Sequence, residues 1–405
     1  MNIPFSPPYI DQEIIDEVVN TLKSGWITTG PKVKALEQEV IKLTGTPQAL
    51  CVNSWTSGAM LILKWFGVDA GDEVIVPAYT YSATALAVLH CGATPVMVDI
   101  NDDLTIDINE VRKKITEKTK VIIPVDIGGW PCDYKAINEL VNDPQVKSKF
   151  SFNHSNQKKL NRILVISDAA HSIGATVNTI EAGLLTDITI FSFHAVKNIT
   201  TAEGGVICFN LPVPFSNDEV YSYLRTMTLN GQTKDAFTKS KAGGWRYDII
   251  DAGLKINMPD VCAAIGLAQI KKYNNQLLGE RQRIFKQYSE AFSLEKWAQV
   301  PAFQDGQRTS ACHLYALRLK GVTEIERDVI IDEISKTGVA VNVHFIPMPM
   351  LTLFKNLGYN IEDYPRTYDN FSREISLPIY PQLTTNDVNF IIEAVKSAYN
   401  TVINL

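Results

Sequence analysis

From about Gly71 to Asn210, short β-branched runs alternate with segments of helical apolar spacing. This alternation commits the chain to βαβ units and a mostly parallel sheet. Strands are predicted over 72–76, 95–100, 121–126, 163–167, 187–193 and 206–210, with helices over 82–90, 109–115 and 134–140 between them. Ahead of this core, a helix is expected over 11–24, then a loop over 25–31 and a second helix over 33–43. A polar run, 146–160, lengthens the connection before the 163–167 strand and reads as a surface excursion. A long helical pattern over 258–292 is expected to link a large domain, 1–257, with its N-terminal arm, to a smaller C-terminal one, 258–405. In the latter, 313–319 and 339–344 read as strands and 385–400 as a closing helix.

The chain is long enough for such a core: 405 residues, 45% apolar, divide most naturally into two domains. The net charge of -6 contains no long block of either sign, which argues against a nucleic-acid partner. No apolar run reaches bilayer length, and the N-terminus lacks the basic-then-apolar layout of a signal peptide, so a cytoplasmic location without membrane contact is expected. The six cysteines and six histidines are dispersed without ligand spacing, and no metal is expected in the chemistry.

Chemistry enters with Lys197. It follows the β-prone 187–193 run and precedes Gly204-Gly205, so a strand delivers an amine to a tight backbone site, as a Schiff-base lysine requires. A solvated loop lysine is the ordinary alternative, and the decision rests on its companions. The buried run 163–167 ends in Asp168-Ala169-Ala170-His171, which puts a carboxylate at the C-terminal end of a parallel strand, facing the ligand crevice. Alone, Asp168 serves equally as a helix cap. Together, an amine and an acid match pyridoxal phosphate, which needs a lysine for the Schiff base and an acid at its ring nitrogen. Asn53-Ser54-Trp55-Thr56-Ser57-Gly58 supplies hydroxyls where a helix over 56–65 begins, suited to a phosphate or to a plain cap. Ser192 offers another hydroxyl beside Lys197, and Tyr81 offers either a flat face for a ring or a core aromatic.

These segments resemble the DegT/DnrJ/StrS family, pyridoxal-phosphate aminotransferases acting on nucleotide-linked keto-sugars. The likeness runs over nearly the whole chain, through Gly25-Trp26-Ile27-Thr28-Thr29-Gly30-Pro31, Gly71-Asp72-Glu73-Val74-Ile75-Val76-Pro77, Asp168-Ala169-Ala170-His171, Ser192-Phe193-His194-Ala195-Val196-Lys197-Asn198 and Ser376-Leu377-Pro378-Ile379-Tyr380-Pro381.

The resemblance implies an α/β, fold-type-I aminotransferase with a mostly parallel sheet in the large domain and a smaller α+β C-terminal domain, working as a homodimer with shared active sites. It puts the Schiff base on Lys197, the ring-nitrogen contact on Asp168, phosphate contacts on Thr56, the Ser57 amide and Ser192, and ring stacking on Tyr81. His171 stands where many relatives carry Gln, near the cofactor ring. Gly253-Leu254-Lys255-Ile256-Asn257-Met258 departs from the relatives' Gly-Tyr-Asn-Tyr-Arg-Met, a segment that reaches the neighbouring subunit's phosphate; Lys255 or Asn257 could serve there.

The implied reaction takes an amino group from L-glutamate, leaving 2-oxoglutarate and pyridoxamine phosphate, and gives it to a keto-sugar nucleotide, with C4 favoured over C3. Thr28, Thr29 and His344 are expected near the substrate, with Lys32, Arg225 and Arg246 as further candidates for its pyrophosphate. A fold-type-I lyase or aldolase would need the same lysine and aspartate, and a non-catalytic cofactor-binding regulator would dispense with them. Relatives with histidine in place of the lysine are dehydratases, and Lys197 is intact here.

Overall fold

The computed structural model describes residues 2–234 and 245–403. Its centre is a seven-stranded sheet made of β1 (Gln48–Val52), β2 (Glu73–Pro77), β3 (Thr94–Val98), β4 (Thr119–Ile122), β5 (Leu164–Asp168), β6 (Ile188–Ser192) and β7 (Gly205–Phe209). The order is β1-β7-β6-β5-β4-β2-β3, and β7 alone runs against the other six. The expected strands are present within a residue or two, except that 121–126 forms β4 two residues early and meets β5 again at the isolated Val125–Asp168 bridge. β1 had no counterpart in the sequence reading. It is short, and it is held as an edge strand by its antiparallel register with β7.

Both faces of the sheet are covered, as an all but parallel sheet requires. One face carries Ile166, Ile188, Ile190 and Ile207 against α3 (Trp55–Trp65), where Gly58 lets the helix sit directly on Val52, Ile190 and Ile207. The opposite face buries Phe191, Phe193 and Val206 against α2 (Pro31–Thr44). Each fully buried Ile or Phe side chain contributes about 1.5–3 kcal/mol, and these are essentially without solvent exposure. α2 begins at Gly30 without a side-chain cap of its own. The Asp260 carboxylate does that work from a distance, accepting the N–H groups of Gly30, Lys32 and Val33 at 2.8–3.0 Å.

A second core forms around the three-stranded sheet Ala298–Gln299, Tyr315–Leu319 and Glu374–Leu377, packed by helices Leu278–Phe292, Glu324–Lys336 and Thr385–Ile403. Two expectations are corrected here. The helical pattern over 258–292 is two helices, Asp260–Ile270 and Leu278–Phe292, separated by a π turn at Tyr273–Leu277. The break drops the buried Tyr273 ring beneath Gly174, where an added Cβ would lie 2.8 Å from the ring, and lets its hydroxyl donate to Ile173 O at 2.7 Å. The segment 339–344 is not a strand. It makes single bridges, Val339 to Ile3 and Asn342 to Ser376, because the N-terminal arm and the Glu374 carboxylate take its backbone groups.

The polar run 146–160 is also more tightly placed than a surface excursion. It lies across two short helices, Pro144–Lys149 and Ser155–Leu160, and docks on the end of α3. There the Asn156 and Gln157 side-chain amides donate to Trp65 O (2.7 Å) and Gly67 O (3.0 Å). Among the described residues, no helix is long and apolar enough to cross a membrane.

Candidate active site

Parallel strands end on the same edge of a sheet, so the topology alone brings the ends of β1, β2, β5 and β6 together. The start of β7 joins them because that strand runs the other way. From these ends project Ser54 and Thr56 after β1, Thr80, Tyr81 and Thr84 after β2, Asp168 and His171 from β5, and Ser192 and Lys197 from β6. Together with Phe5, His313, His344 and Phe345 from the chain's two ends they line one pocket of about 520 Å³.

The lysine is delivered by a compact turn. Phe193 N–H bonds to Gly204 O, Thr201 N–H returns to Phe193 O, and Lys197 N–H closes on His194 O, all at 2.9 Å. Gly205 is required where β7 starts, since a Cβ there would meet the backbone of Trp55 and Ser54 at 2.8 and 2.9 Å. That close approach sets the N-terminus of α3 beside Ser192. Ser54 caps this helix by accepting from Ser57 N–H at 3.1 Å. The preceding first-turn amides, at Trp55 and Thr56, have no intrahelical acceptor and leave a partial positive charge at the pocket wall.

Burial governs the titration of the two central groups. It lowers the Lys197 amine to about 8, against the opposing pull of the Asp168 carboxylate. It raises Asp168 to about 7, although Thr84 Oγ1 donates to Oδ2 at 2.8 Å and Ala170 N–H to Oδ1 at 3.2 Å. The pocket therefore holds an amine that is readily neutral, hence nucleophilic, and an acid that calls for a cationic partner. His171 is kept well below the usual imidazole range by burial first, then by Lys197 and His344, and it accepts the Gly128 N–H on Nδ1 at 3.2 Å. His344 falls to about 4, mainly through burial and then through Lys197.

Of the residues singled out from sequence, Thr56, Tyr81, Asp168, His171, Ser192, Lys197 and His344 line this pocket. Tyr81 is 61% exposed, its ring 5.6 Å from that of Phe345. Ser57 lies one residue further along α3, with its amide already taken by Ser54. Thr28, Thr29, Lys255 and Asn257 are elsewhere: Thr28 O accepts from Asp260 N–H (3.3 Å), and Lys255 Nζ donates to Asn257 Oδ1 (2.6 Å). Asn257 Nδ2 in turn donates to Thr29 Oγ1 (2.5 Å) and Thr29 Oγ1 to Met258 O (2.6 Å). Lys32 is paired with Glu17 at 2.5 Å, Arg225 donates to the Tyr221 hydroxyl at 2.9 Å, and Arg246 lies over Trp245. The sequence reading missed Thr84, whose hydroxyl type and position after β2 were its only signal. It also missed Phe5 and His313, which reach the pocket from far along the chain.

A doubly covered, mostly parallel sheet with a buried amine and acid at its C-terminal edge is the frame of a fold-type-I, pyridoxal-phosphate-dependent enzyme, and the comparisons make it an aminotransferase. A sequence model of the DegT/DnrJ/EryC1/StrS aminotransferase family matches residues 8–148 and 155–396, and the chain belongs to that family. It is 35% identical over 401 residues to the spore coat polysaccharide biosynthesis protein SpsC of Bacillus subtilis, covering 97% of this chain and 96% of SpsC. Spr1654 of Streptococcus pneumoniae, assigned as a sugar aminotransferase and solved in its PMP form, superposes with a TM-score of 0.95 at 44% identity, covering 99% of this chain and 100% of that one. Helicobacter pylori PseC, an aminotransferase involved in the biosynthesis of pseudoaminic acid, gives a TM-score of 0.87 at 25% identity, covering 99% of this chain and 100% of its own.

The donor set fits pyridoxal phosphate. The hydroxyls of Ser54, Thr56 and Ser192 beside the open helix end suit a dianionic phosphate, and Asp168, raised to about 7 by burial, gains the cation it lacks from a protonated ring nitrogen.

Proposed function

We propose that this aminotransferase moves an amino group from L-glutamate to a nucleotide-linked 4-keto hexose, in a pathway that builds amino-sugar-containing surface polysaccharide. The observation that carries the reading is the buried Lys197 amine set against Asp168 at the sheet's C-terminal edge. The names borne by SpsC and PseC support the sugar and the polysaccharide setting.

When bound, the cofactor supplies an electron sink that stabilises negative charge on a carbon next to nitrogen. The chain supplies the rest. The Asp168 carboxylate would keep a proton on the ring nitrogen. The hydroxyls of Thr56 and Ser192 and the N-terminal end of α3 would hold the phosphate. Lys197 Nζ, which burial lowers to about 8, takes the α-hydrogen of glutamate as a proton in its neutral form. In the second half-reaction it delivers a proton to the sugar carbon that has gained nitrogen. The balance is glutamate plus keto-sugar to 2-oxoglutarate plus amino sugar.

Tyr81 offers its ring for stacking on the cofactor, and His344 and Phe345 form an aromatic mouth suited to one face of a sugar ring. The Lys255, Asn257 and Thr29 cluster, with Thr28 near it, lies outside the pocket and is left to reach the phosphate and sugar sites of a second copy in a homodimer. A two-part organisation, 1–257 and 258–405, completes the reading, with helix Asp260–Ile270 fastening the second part to the first through α1 (Gln12–Lys23) and α2. We place the enzyme in the cytoplasm, where nucleotide sugars are made.

The test is incubation with glutamate and a panel of 4-keto and 3-keto sugar nucleotides, followed by mass. Gain of an amino group on a 4-keto sugar, with stoichiometric 2-oxoglutarate, is the expected result. Turnover of 3-keto sugars alone would overturn the C4 assignment. Consumption of amino acid with no acceptor would replace transamination by a lyase reaction.

A further inference from the structure

His313 belongs to no role described so far, yet it forms part of the pocket wall and is 5% exposed. Its Nδ1 lies 2.9 Å from Oδ1 of Asn198, the residue directly after the lysine. The orientation of that amide is fixed by its other end. Asn198 Nδ2 donates to Ala311 O at 2.9 Å and to the Tyr273 hydroxyl oxygen at 3.1 Å, the latter hydroxyl spending its own hydrogen on Ile173 O. Turning the amide over would set its oxygen against the Ala311 carbonyl. Oδ1 is therefore an acceptor, His313 carries its proton on Nδ1, and its Nε2 is bare.

The same residue is tied to His171. The two rings are 4.3 Å apart between centroids at 34°. Gly128 joins them through the backbone, its carbonyl accepting His313 N–H at 3.0 Å while its amide donates to His171 Nδ1 at 3.2 Å. That donation puts the His171 proton on Nε2. A chain of contacts thus runs from the lysine loop, through a residue of the C-terminal half, to the histidine beside Asp168.

We propose that His313, locked by Asn198, is a positioning residue for transamination: its ring fixes the plane of the His171 ring and ties the lysine loop to the C-terminal half of the chain. The inference rests on Lys197 holding the cofactor. The charged and titratable groups around His313 are His171, Lys197, Arg281 and His344, with Tyr273 reached through Asn198, and none is an acid positioned to stabilise an imidazolium. Burial, followed by the first four of these, keeps His313 neutral, well below its ordinary range. Asn in place of Asp at 198 is what preserves that neutrality beside an amine that must itself lose a proton.

The experiment titrates the visible band of the cofactor-loaded enzyme with pH in the parent, Asn198→Asp, His313→Phe and the double variant. Asn198→Asp places a carboxylate on His313 Nδ1–H, so a second ionisation is expected in the neutral range, absent from His313→Phe and from the double variant. His313→Phe keeps the ring but not its hydrogen bond, and is expected to lower kcat by about ten- to a hundredfold with KM nearly unchanged. Titration curves that superimpose on the parent in all three variants, with only thermal stability reduced, would overturn the proposal. Should the variants fail to fold, ¹⁵N-histidine NMR of the parent apoprotein decides: neutral His313 with Nδ1–H and neutral His171 with Nε2–H are expected, and either the reverse tautomers or an imidazolium at pH 7 refutes it. A parent protein that forms no visible band, or keeps it in Lys197→Ala, would fail the underlying reading instead.

Discussion

Replacing Thr84 by Val removes one hydrogen bond from the carboxylate on which cofactor binding turns. Thr84 Oγ1 donates to Asp168 Oδ2 at 2.8 Å in a site with almost no solvent. A hydrogen bond to a charged group contributes about 1.5–3 kcal/mol, and one pKa unit is about 1.4 kcal/mol, so the loss raises Asp168 by about one to two units. Asp168 already stands at about 7 through burial. At pH 7.5 the apoprotein's carboxylate should pass from mostly ionised to mostly protonated. The acid then meets the cofactor's ring nitrogen in the wrong state, and affinity for pyridoxal phosphate should fall about three- to twenty-five-fold, recovering as pH rises. Fluorescence titration of the apoprotein with cofactor between pH 6 and 9 measures this, with Thr84→Ser, which keeps the donor, as control. An affinity in Thr84→Val within about twofold of the parent, with the same pH dependence, would refute the reasoning that Thr84 sustains the charge on Asp168.

Glu37 should make stability fall with rising pH. Burial raises it to about 7 despite hydrogen bonds from Cys51 N–H (3.0 Å) and the Tyr221 hydroxyl (2.9 Å). A raised folded-state pKa means that its stabilising contribution is fully present below about 4.5 and is lost as pH rises through about 7, a change of order 3 kcal/mol. Denaturant midpoints of parent and Glu37→Gln should therefore diverge between pH 5 and 8, with the variant gaining at the alkaline end; parallel curves would contradict this. Gly205→Ala forces a Cβ to within 2.8 Å of Trp55 N, and should cost about 1–3 kcal/mol and weaken cofactor binding by pushing α3 away from Ser192. Unchanged stability and affinity in that variant would show that the helix end has room to move.

What the sequence made legible follows from how local each signal is. The strands between 72 and 210 were readable because each buried strand is a compact apolar run, and Asp168 and Lys197 were readable because one ends such a run and the other follows one. β1 escaped because Gln48–Val52 lies ahead of the alternating stretch that begins near Gly71 and owes its register to β7, more than 150 residues later. The break between Ile270 and Leu278 was invisible because apolar spacing continues through it, and the close packing of the Tyr273 ring on Gly174 that marks the turn is remote in sequence. For 339–344, β-branched residues suggested a strand, while the partners that decide its backbone, Ile3 and Glu374, are remote in sequence. Thr84 and His313 illustrate the same limit in the site. A threonine at the start of a helix and a histidine at the start of a strand acquire meaning only when the fold brings Asp168 and Asn198 to them.

The central claim is that Lys197 is the residue joined to the cofactor. Borohydride reduction of the loaded enzyme, followed by peptide mapping and mass spectrometry, tests it directly. A phosphopyridoxyl group is expected on the peptide bearing Lys197 and on no other, with its disappearance in Lys197→Ala. A modified peptide carrying a different lysine, or an unmodified Lys197 in a protein that retains full activity, would contradict it.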